Sequence, residues 1–392
     1  MADTTTGKTR LGSGTVLLAF TAFGLLWGMY AAALPAIKRN TGASDGDLGA
    51  ALVCVGLAAA PAMFMVGRLL DRYGRPVAIT ALCLFAAAAP LPAFAGSVPM
   101  LVVALLLFGF ASGSCDVVIN SLAATVEADT GERVLNRAHA LFSVGLLVGT
   151  VVTSLTRAAG VEAAWPLVGL AVVTVLLTVA STGRVPARLA AHATGETQAA
   201  RTRRRINPLA LRFGVLAALA LLVESGVQQW SAVFLEDEVH AAPGLSGLAP
   251  GVFAGSMALG RFGGHWLSTR MSDRVVLLAS GLLSGVGVLI VAWSGSPLVA
   301  LVGFAVAGAA ISVAAPTVYG VVGRSAPAQR RATLVGATAS IAYVGLLLGP
   351  VVVGLIAEQT ALRTAIGSLL VVSLAISVAA VLVRAAGRES PV

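Results

Sequence analysis

The chain has 392 residues, of which 57% are hydrophobic and only 11% are charged, and its mean hydropathy is +0.92. A soluble domain carries roughly 25% charged residues, so this composition excludes an ordinary water-soluble fold. The formal net charge of +9 at pH 7 raises the question of nucleic-acid binding, which the positions of the basic residues then answer.

Twelve apolar segments follow one another, each of about the 20 residues that a helix needs to cross a bilayer. They cover approximately residues 13–37, 47–66, 77–95, 98–126, 138–157, 163–182, 209–235, 246–267, 275–293, 297–321, 332–356 and 361–384. Their length and their alanine, leucine, glycine and valine content favour helices over the short alternating strands of a barrel. The first segment is too long for a typical signal peptide, so we expect it to be retained. We therefore predict an all-α membrane protein with twelve transmembrane helices.

The basic residues concentrate on one side of the predicted membrane. With the N-terminus inside, the cytoplasmic side holds all of the 26 Lys and Arg residues except four, which are Lys38, Arg39, Arg157 and Arg363. This asymmetry predicts a multi-pass protein of the plasma (bacterial inner) membrane with both termini in the cytoplasm. The basic charge thus follows membrane topology, and we expect the lipid bilayer rather than a nucleic acid as its partner.

A polar, basic stretch divides the helices six and six. It covers residues 183–208 and separates an N-terminal six-helix bundle, residues 1–182, from a C-terminal one, residues 209–392. Three motifs recur in the same order in both halves. Phe108-Gly109-Phe110-Ala111 matches Val302-Gly303-Phe304-Ala305, Gly145-x-x-x-Gly149 matches Gly345-x-x-x-Gly349, and Gly67 to Asp71 matches Gly264 to Ser268. We therefore predict two pseudo-symmetric bundles with a substrate site between them, near the midplane.

A charged motif, Gly67-Arg68-Leu69-Leu70-Asp71-Arg72-Tyr73-Gly74-Arg75, separates the second and third segments. Topology explains its arginines but leaves the aspartate unexplained. The pattern Gly-x-x-x-Asp-Arg-x-Gly-Arg resembles the signature loop of the major facilitator superfamily, apart from Pro76, where a basic residue is common. The resemblance extends over essentially the whole chain. It implies the major facilitator fold.

For the loop itself, the resemblance implies a conformational latch. Its members are Gly67, Asp71, Arg72, Gly74 and Arg75. In the outward-facing state Asp71 would cap the eleventh helix, which begins near Ala332. A carboxylate at a helix N-terminus is favoured by roughly 0.3–1 kcal/mol.

Carboxylates stand inside two apolar segments, where they usually mark ion or substrate pathways. Asn120 and Glu127 lie about 40° and 20° around the fourth helix from Asp116, so the three share one face. Glu224 and Gln228 likewise share a face of the seventh helix. In the major facilitator fold both helices line the central cavity. Arg261 is a candidate charge partner for Asp116.

Aromatic and histidine side chains supply further candidates. Trp27 and Tyr30 follow each other at helical spacing in the first helix, and Trp230 lies about 120° from the Glu224 face. Each ring can be a ligand platform or a packing residue. His139 can relay protons or simply neighbour Glu127. The three cysteines lie in apolar segments and read as packing residues, without metal-ligand or disulfide spacing.

Two further runs resemble a fucose-permease-like branch of the superfamily. The first joins Asp116-Val117-Val118-Ile119-Asn120 to Arg137-Ala138-His139, and the second is Glu224-Ser225-Gly226 followed by Gln229-Trp230-Ser231. The resemblance implies proton-coupled transport of a sugar-like solute, with a membrane carboxylate as the proton carrier. An apolar site favours the protonated form of a carboxyl group, which permits proton exchange near neutral pH.

Several functions remain open from the residues alone. The leading hypothesis is a proton-coupled secondary transporter that imports a small organic solute by alternating access. The alternative is proton-antiport efflux of a drug or metabolite, and a non-transporting membrane sensor is a third class. No nucleotide-binding loop, nucleophile elbow or metal-spaced cluster points to an enzyme or a cofactor. We expect a monomer.

Overall fold

The computed structural model describes residues 12–185, 207–268 and 270–382, and every regular element in these ranges is helical. The N-terminal half comprises α1 (Ser13–Thr41), α2 (Asp45–Tyr73), α3 (Arg75–Ala88), α4 (Val98–Thr130), α5 (Val134–Ala158) and α6 (Ala164–Ala180). The C-terminal half comprises α7 (Pro208–Asp237), α8 (Pro243–Ser246), α9 (Ala249–Ser268), α10 (Asp273–Ala292), α11 (Pro297–Ile311), α12 (Ala314–Ser325), α13 (Arg331–Gln359) and α14 (Leu362–Leu382).

These helices account for the twelve predicted membrane crossings. Ten spans in the described ranges are long and apolar enough to cross a membrane, and one of them, Pro297–Ser325, joins α11 and α12. The 17-residue α6 and the 20-residue α9 complete the twelve. The all-α, twelve-helix prediction is confirmed. Residues 186–206 of the predicted linker lie outside the described residues, so the linker and the domain boundaries stay predictions.

The structure corrects the charged motif between the second and third helices. The predicted loop is helical up to Tyr73, and only Gly74 separates α2 from α3. Its φ of 62° lies in the left-handed region, which glycine adopts without the strain imposed by a side chain. Asp71 and Arg72 therefore belong to the last turn of α2.

The tenth predicted segment is also interrupted. The chain leaves α11 after Ile311 and resumes as α12 at Ala314. In the third predicted segment, the α-helix ends at Ala88, earlier than predicted. A short 3₁₀ turn (Leu91–Phe94) replaces its last residues, because Pro90 and Pro92 have no N–H to continue the helix.

The two halves repeat one helix pair with the same glycine spacing. A Cβ on Gly145 would approach the Thr21 carbonyl oxygen of α1, and one on Gly149 would overlap the Leu25 carbonyl. In the other half, a Cβ on Gly345 would overlap the Ala218 carbonyl of α7. Small residues let backbones approach closely in lipid. The repeated glycines thus pack α5 onto α1 and α13 onto α7 in the same way.

The second repeated motif packs against different helices in the two halves. Gly109 of α4 lies against the Val55 carbonyl of α2, whereas Gly303 of α11 lies against Val291 and Gly287 of α10. The repeat therefore preserves a close contact but changes the partner. In the third repeated motif, the side chains of residues 265–268 lie outside the described residues.

The halves touch at one end of the bundle. A Cβ on Gly49 of α2 would lie 2.9 Å from the Pro350 carbonyl of α13, and the Tyr343 hydroxyl donates to the Gly56 carbonyl at 3.3 Å. Further along α2, a Cβ on Gly67 would meet only Val117 of its own half, at 3.7 Å. We call the end where α1, α5, α7 and α13 finish the closed end, and the opposite one the open end.

The close packing of α5 on α1 can be tested by adding one methyl group. Gly149→Ala forces overlap with the Leu25 carbonyl, and we expect a loss of about 1–3 kcal/mol in stability, as for other overpacked sites. The measurement is the thermal unfolding midpoint in detergent, followed by tryptophan fluorescence. Gly169→Ala in α6, where a Cβ meets nothing within 4 Å, is the control and should not lower the midpoint. Equal midpoints for both variants would contradict the packing argument.

Candidate site between the halves

The polar face of α4 carries a short hydrogen-bonded pair. The Asn120 amide donates to Asp116 Oδ1 at 3.1 Å and to the Asp116 carbonyl oxygen at 2.9 Å. Both side chains are half-buried, whereas Cys115, Val118 and Ile119 beside them are fully buried. The pair therefore lies on the face of α4 that its own half does not cover completely.

Glu127, on the same helix, makes a contact of its own. Its Oε1 accepts the Leu135 N–H at 2.9 Å, at the start of α5. The first N–H groups of a helix lack partners within the helix, so this carboxylate caps α5. Glu127 therefore has a structural role near the open end.

We call the space between the halves toward the open end the gap. One charge pair there joins α7 to α9, which both belong to the C-terminal half. Arg261 Nη2 lies 3.8 Å from Glu224 Oε1, with side-chain exposures of 53% and 17%. The structure brings Arg261 to Glu224, and the pairing with Asp116 expected from the sequence stays a prediction. Tyr319 of α12 lies in the neighbourhood of Glu224, and His139 of α5 lies in that of Arg261. We call Glu224, Arg261, His139 and Tyr319 the gap cluster. Sequence reasoning missed Tyr319, although it lies in the predicted tenth segment.

His139 lies on one stripe of α5 together with Leu147 and Thr150. A Cβ on Gly251 of α9 would meet Leu147 and Thr150 on this stripe, whereas a Cβ on Gly255, one turn further along α9, would meet nothing within 4 Å. His139 lies about 20° from Thr150 around the helix. It is exposed, and its ring packs edge-on against Phe20 with 5.2 Å between centroids. The imidazole therefore borders the widening gap between α5 and α9.

On α7, the gap cluster extends to Gln228, which is half-buried one turn from Glu224. Ser231 is fully buried and donates to the Gln228 carbonyl at 3.1 Å. Gln228 therefore offers a polar amide on the same face of α7 as Glu224.

The aromatic candidates pack within the halves in this conformation. Trp27 Nε1 donates to Ser112 Oγ at 3.1 Å, and its ring lies edge-on to Phe108. Tyr30 is fully buried, and its hydroxyl has no partner among the described residues. Trp230 is fully buried too, with Nε1 donating to the Pro350 carbonyl at 3.0 Å. None of these hydrogen bonds crosses between the halves.

The latch residues lie at the open end. Asp71 and Arg72 are exposed, and Gly74 is buried. Among the described residues Asp71 makes no hydrogen bond or ion pair, so its predicted contact with the start of α13 is not formed here. That contact was predicted for the state in which the open end closes, and it stays a prediction. The guanidinium of Arg75 keeps a buried Nε without a described partner.

Comparison with known proteins places this geometry in a family. The Major Facilitator Superfamily model matches residues 16–237 and 213–392. An uncharacterized MFS-type transporter of Yersinia pestis is 29% identical over 367 residues, which is 93% of this chain and 94% of that protein. The chain belongs to the Major Facilitator Superfamily and is a multi-pass membrane transporter, not an enzyme.

Two solved structures support the same fold. The nucleoside transporter NupG has a TM-score of 0.75 at 16% identity, over 94% of this chain and 98% of that one. The fucose:proton symporter FucP of E. coli has a TM-score of 0.55 at 17% identity, over 94% of this chain and 97% of that one. The resemblance to the fucose-permease-like branch is confirmed at the level of fold. Among the described residues, no group of three or more His, Cys, Asp and Glu side chains is arranged to hold a metal ion.

The capping contact of Glu127 predicts a difference between two substitutions. Glu127→Ala removes the acceptor of the Leu135 N–H and should cost roughly 0.5–2 kcal/mol, the usual cost of losing a helix cap. Glu127→Gln keeps an acceptor oxygen and should remain closer to the native unfolding midpoint. Asp129→Ala, at an exposed position two residues on, is the control. A stable Glu127→Gln variant that had lost proton-driven transport would instead assign Glu127 to proton carriage.

Proposed function

We propose that the protein is a proton-coupled secondary transporter that works by alternating access, with Glu224 as the proton carrier. The observation that carries the proposal is the Glu224–Arg261 pair, which joins α7 to α9 in a gap between two halves in contact at one end. A largely buried carboxylate beside a half-exposed guanidinium has two stable arrangements, depending on whether a proton is bound.

Charge explains how proton binding would drive movement. An ionised Glu224 is held beside Arg261, because leaving this largely buried carboxylate without a partner is costly. Protonation removes this constraint and frees the guanidinium for a substrate or for water. The two protonation states therefore present different charges to the gap between the halves and favour different arrangements of the halves, which is the coupling that a symporter needs.

The substrate we propose is a small, polar, sugar-like organic solute. Gln228, Asn120 and Asp116 offer donors and acceptors on α7 and α4. The second candidate function is proton-antiport efflux of a drug or metabolite. The burial of Tyr30 and Trp230 favours it, because neither ring is open for stacking on a sugar in this conformation.

For orientation, we propose that the open end faces the cytoplasm. The basic residues of the α2–α3 junction lie at that end, as the positive-inside distribution requires. The structure then corresponds to an inward-open state in the plasma membrane, with both termini cytoplasmic. A monomer remains our expectation, and a small solute and protons are the proposed partners.

The test of the coupling role uses proteoliposomes with an imposed pH gradient. A panel of radiolabelled sugars, nucleosides and polyols first identifies a substrate by accumulation. Glu224→Gln should then abolish proton-driven accumulation but keep substrate exchange without a gradient, because Gln cannot release a proton. Asp273→Asn, which breaks an exposed ion pair with Arg324 within the C-terminal half, is the control. Full accumulation by Glu224→Gln would remove this residue from the coupling role.

The latch gives a separate prediction about rate. Asp71→Asn removes the charge that would cap α13 when the open end closes, and helix N-termini favour negative charge. We expect turnover to fall severalfold, with substrate affinity nearly unchanged. Initial rates of uptake and equilibrium binding of the identified substrate separate the two effects. An unchanged turnover number would count against the latch.

A further inference from the structure

Six charged side chains meet at the closed end of the bundle. The N-terminal half contributes Lys38, Arg39, Asp45 and Arg157, and the C-terminal half contributes Glu236 and Asp237. We call them the closed-end cluster. They include three of the four basic residues that the predicted topology leaves on the outer side.

Glu236, in the last turn of α7, is the centre of this cluster. Arg157 Nη2 donates to both of its carboxylate oxygens, at 3.0 and 2.8 Å. Arg39 donates to Oε1, and the Ser246 hydroxyl donates to Oε2 at 2.6 Å. One carboxylate of the C-terminal half is thus held by two arginines of the N-terminal half.

Arg157 is buried at this contact, with only 4% of its side chain exposed. Its Nη1 donates to the Ala32 carbonyl of α1 at 3.1 Å and lies 3.4 Å from the Ser246 hydroxyl of α8. The guanidinium therefore joins α1, α5, α7 and α8. Charge-assisted pairs joined by several hydrogen bonds are geometrically specific as well as strong.

A second bridge crosses the halves beside the first. Lys38 Nζ lies 2.6 Å from Asp45 of its own half and 2.6 Å from Asp237 of the opposite half. In total, the cluster carries three positive and three negative charges. The N-terminal half alone holds three positive charges and one negative, and the C-terminal half holds two negative. Neutrality therefore depends on the halves being together.

The neighbouring Glu238 forms a different kind of pair. It lies 3.6 Å from Arg363, the fourth basic residue of this end, and both belong to the C-terminal half. Arg363 also donates to the carbonyls of Ala292 and Ser294. Glu236 and Glu238 thus lie two residues apart, but only Glu236 connects the halves.

We infer that Glu236 is the gate residue of the closed end, holding the two halves together through Arg39 and Arg157 and releasing them when that end opens. The inference rests on the alternating-access part of the proposed function. It concerns the closed end rather than the gap that contains Glu224, and its test requires neither a substrate nor a proton gradient. Opening this end separates the cluster into an N-terminal part with a net charge of +2 and a C-terminal part with a net charge of −2.

The test measures how fast two cysteines react, each introduced singly after Cys54, Cys83 and Cys115 have been replaced. Ser154→Cys reports on the closed end, because Ser154 is 1% exposed and lies against Gly247 of the opposite half. Ser143→Cys reports on the open end, because Ser143 is half-buried on the His139 stripe of α5. Purified protein in detergent is labelled with a hydrophilic maleimide.

We expect Glu236→Gln to raise the labelling rate at Cys-substituted position 154 by about tenfold, the population shift that about 1.4 kcal/mol produces. Labelling at position 143 should fall, because closing the open end accompanies opening of the closed end. Glu236→Asp should restore part of the native pattern, and Arg39→Gln should shift both rates in the same directions by less. Glu238→Gln is the matched control and should leave both rates as they are.

Three outcomes would overturn the inference. The first is native labelling rates at both positions in Glu236→Gln. The second is an equal shift in Glu238→Gln, which would indicate a general effect of charge at this end. The third is faster labelling at both positions, which would mean that Glu236 only maintains the fold. Loss of the proton-coupling role of Glu224 would change none of these readouts, so the two proposals fail separately.

Discussion

The contact between the two halves at the closed end is the constraint on which the rest of the structure depends. Within each half, glycines bring α5 onto α1 and α13 onto α7 so closely that a methyl group would meet a backbone carbonyl. These contacts hold one helix pair closely together in each half. Because the halves are joined at one end, every polar group between them lies either in the sealed contact or along the gap that widens away from it.

This division gives the two groups of charges different physical roles. At the closed end, Glu236 and Arg157 are almost completely buried and multiply hydrogen-bonded, so their pairing favours one arrangement of the halves. In the gap, Glu224 and Arg261 are 3.8 Å apart and partly exposed, so water and a solute can reach them. A buried contact with several hydrogen bonds suits a gate. A longer, partly exposed contact suits a group that must exchange protons.

Particular residues show why some predictions held and others did not. Gly149 and Gly345 belong to a repeated spacing, and spacing along a helix is visible in the sequence. Trp230 also follows helical spacing, but its hydrogen bond to Pro350 depends on how α13 crosses α7, which no periodicity encodes. The pairing of Arg261 with Glu224 depends on helix packing in the same way. The angle and depth of each helix relative to its neighbours decide which side chains meet.

The sequence by itself determined the solvent, the number of helices, the division into halves and the family, because hydropathy, charge asymmetry and a local motif are properties of neighbouring residues. It also marked Lys38, Arg39, Arg157 and Arg363 as exceptions to the charge asymmetry. Only the tertiary structure decided that each of these four is paired with a carboxylate and that Glu236 pairs with two of them across the halves. These partners are up to 199 residues apart along the chain, so only helix packing brings them together.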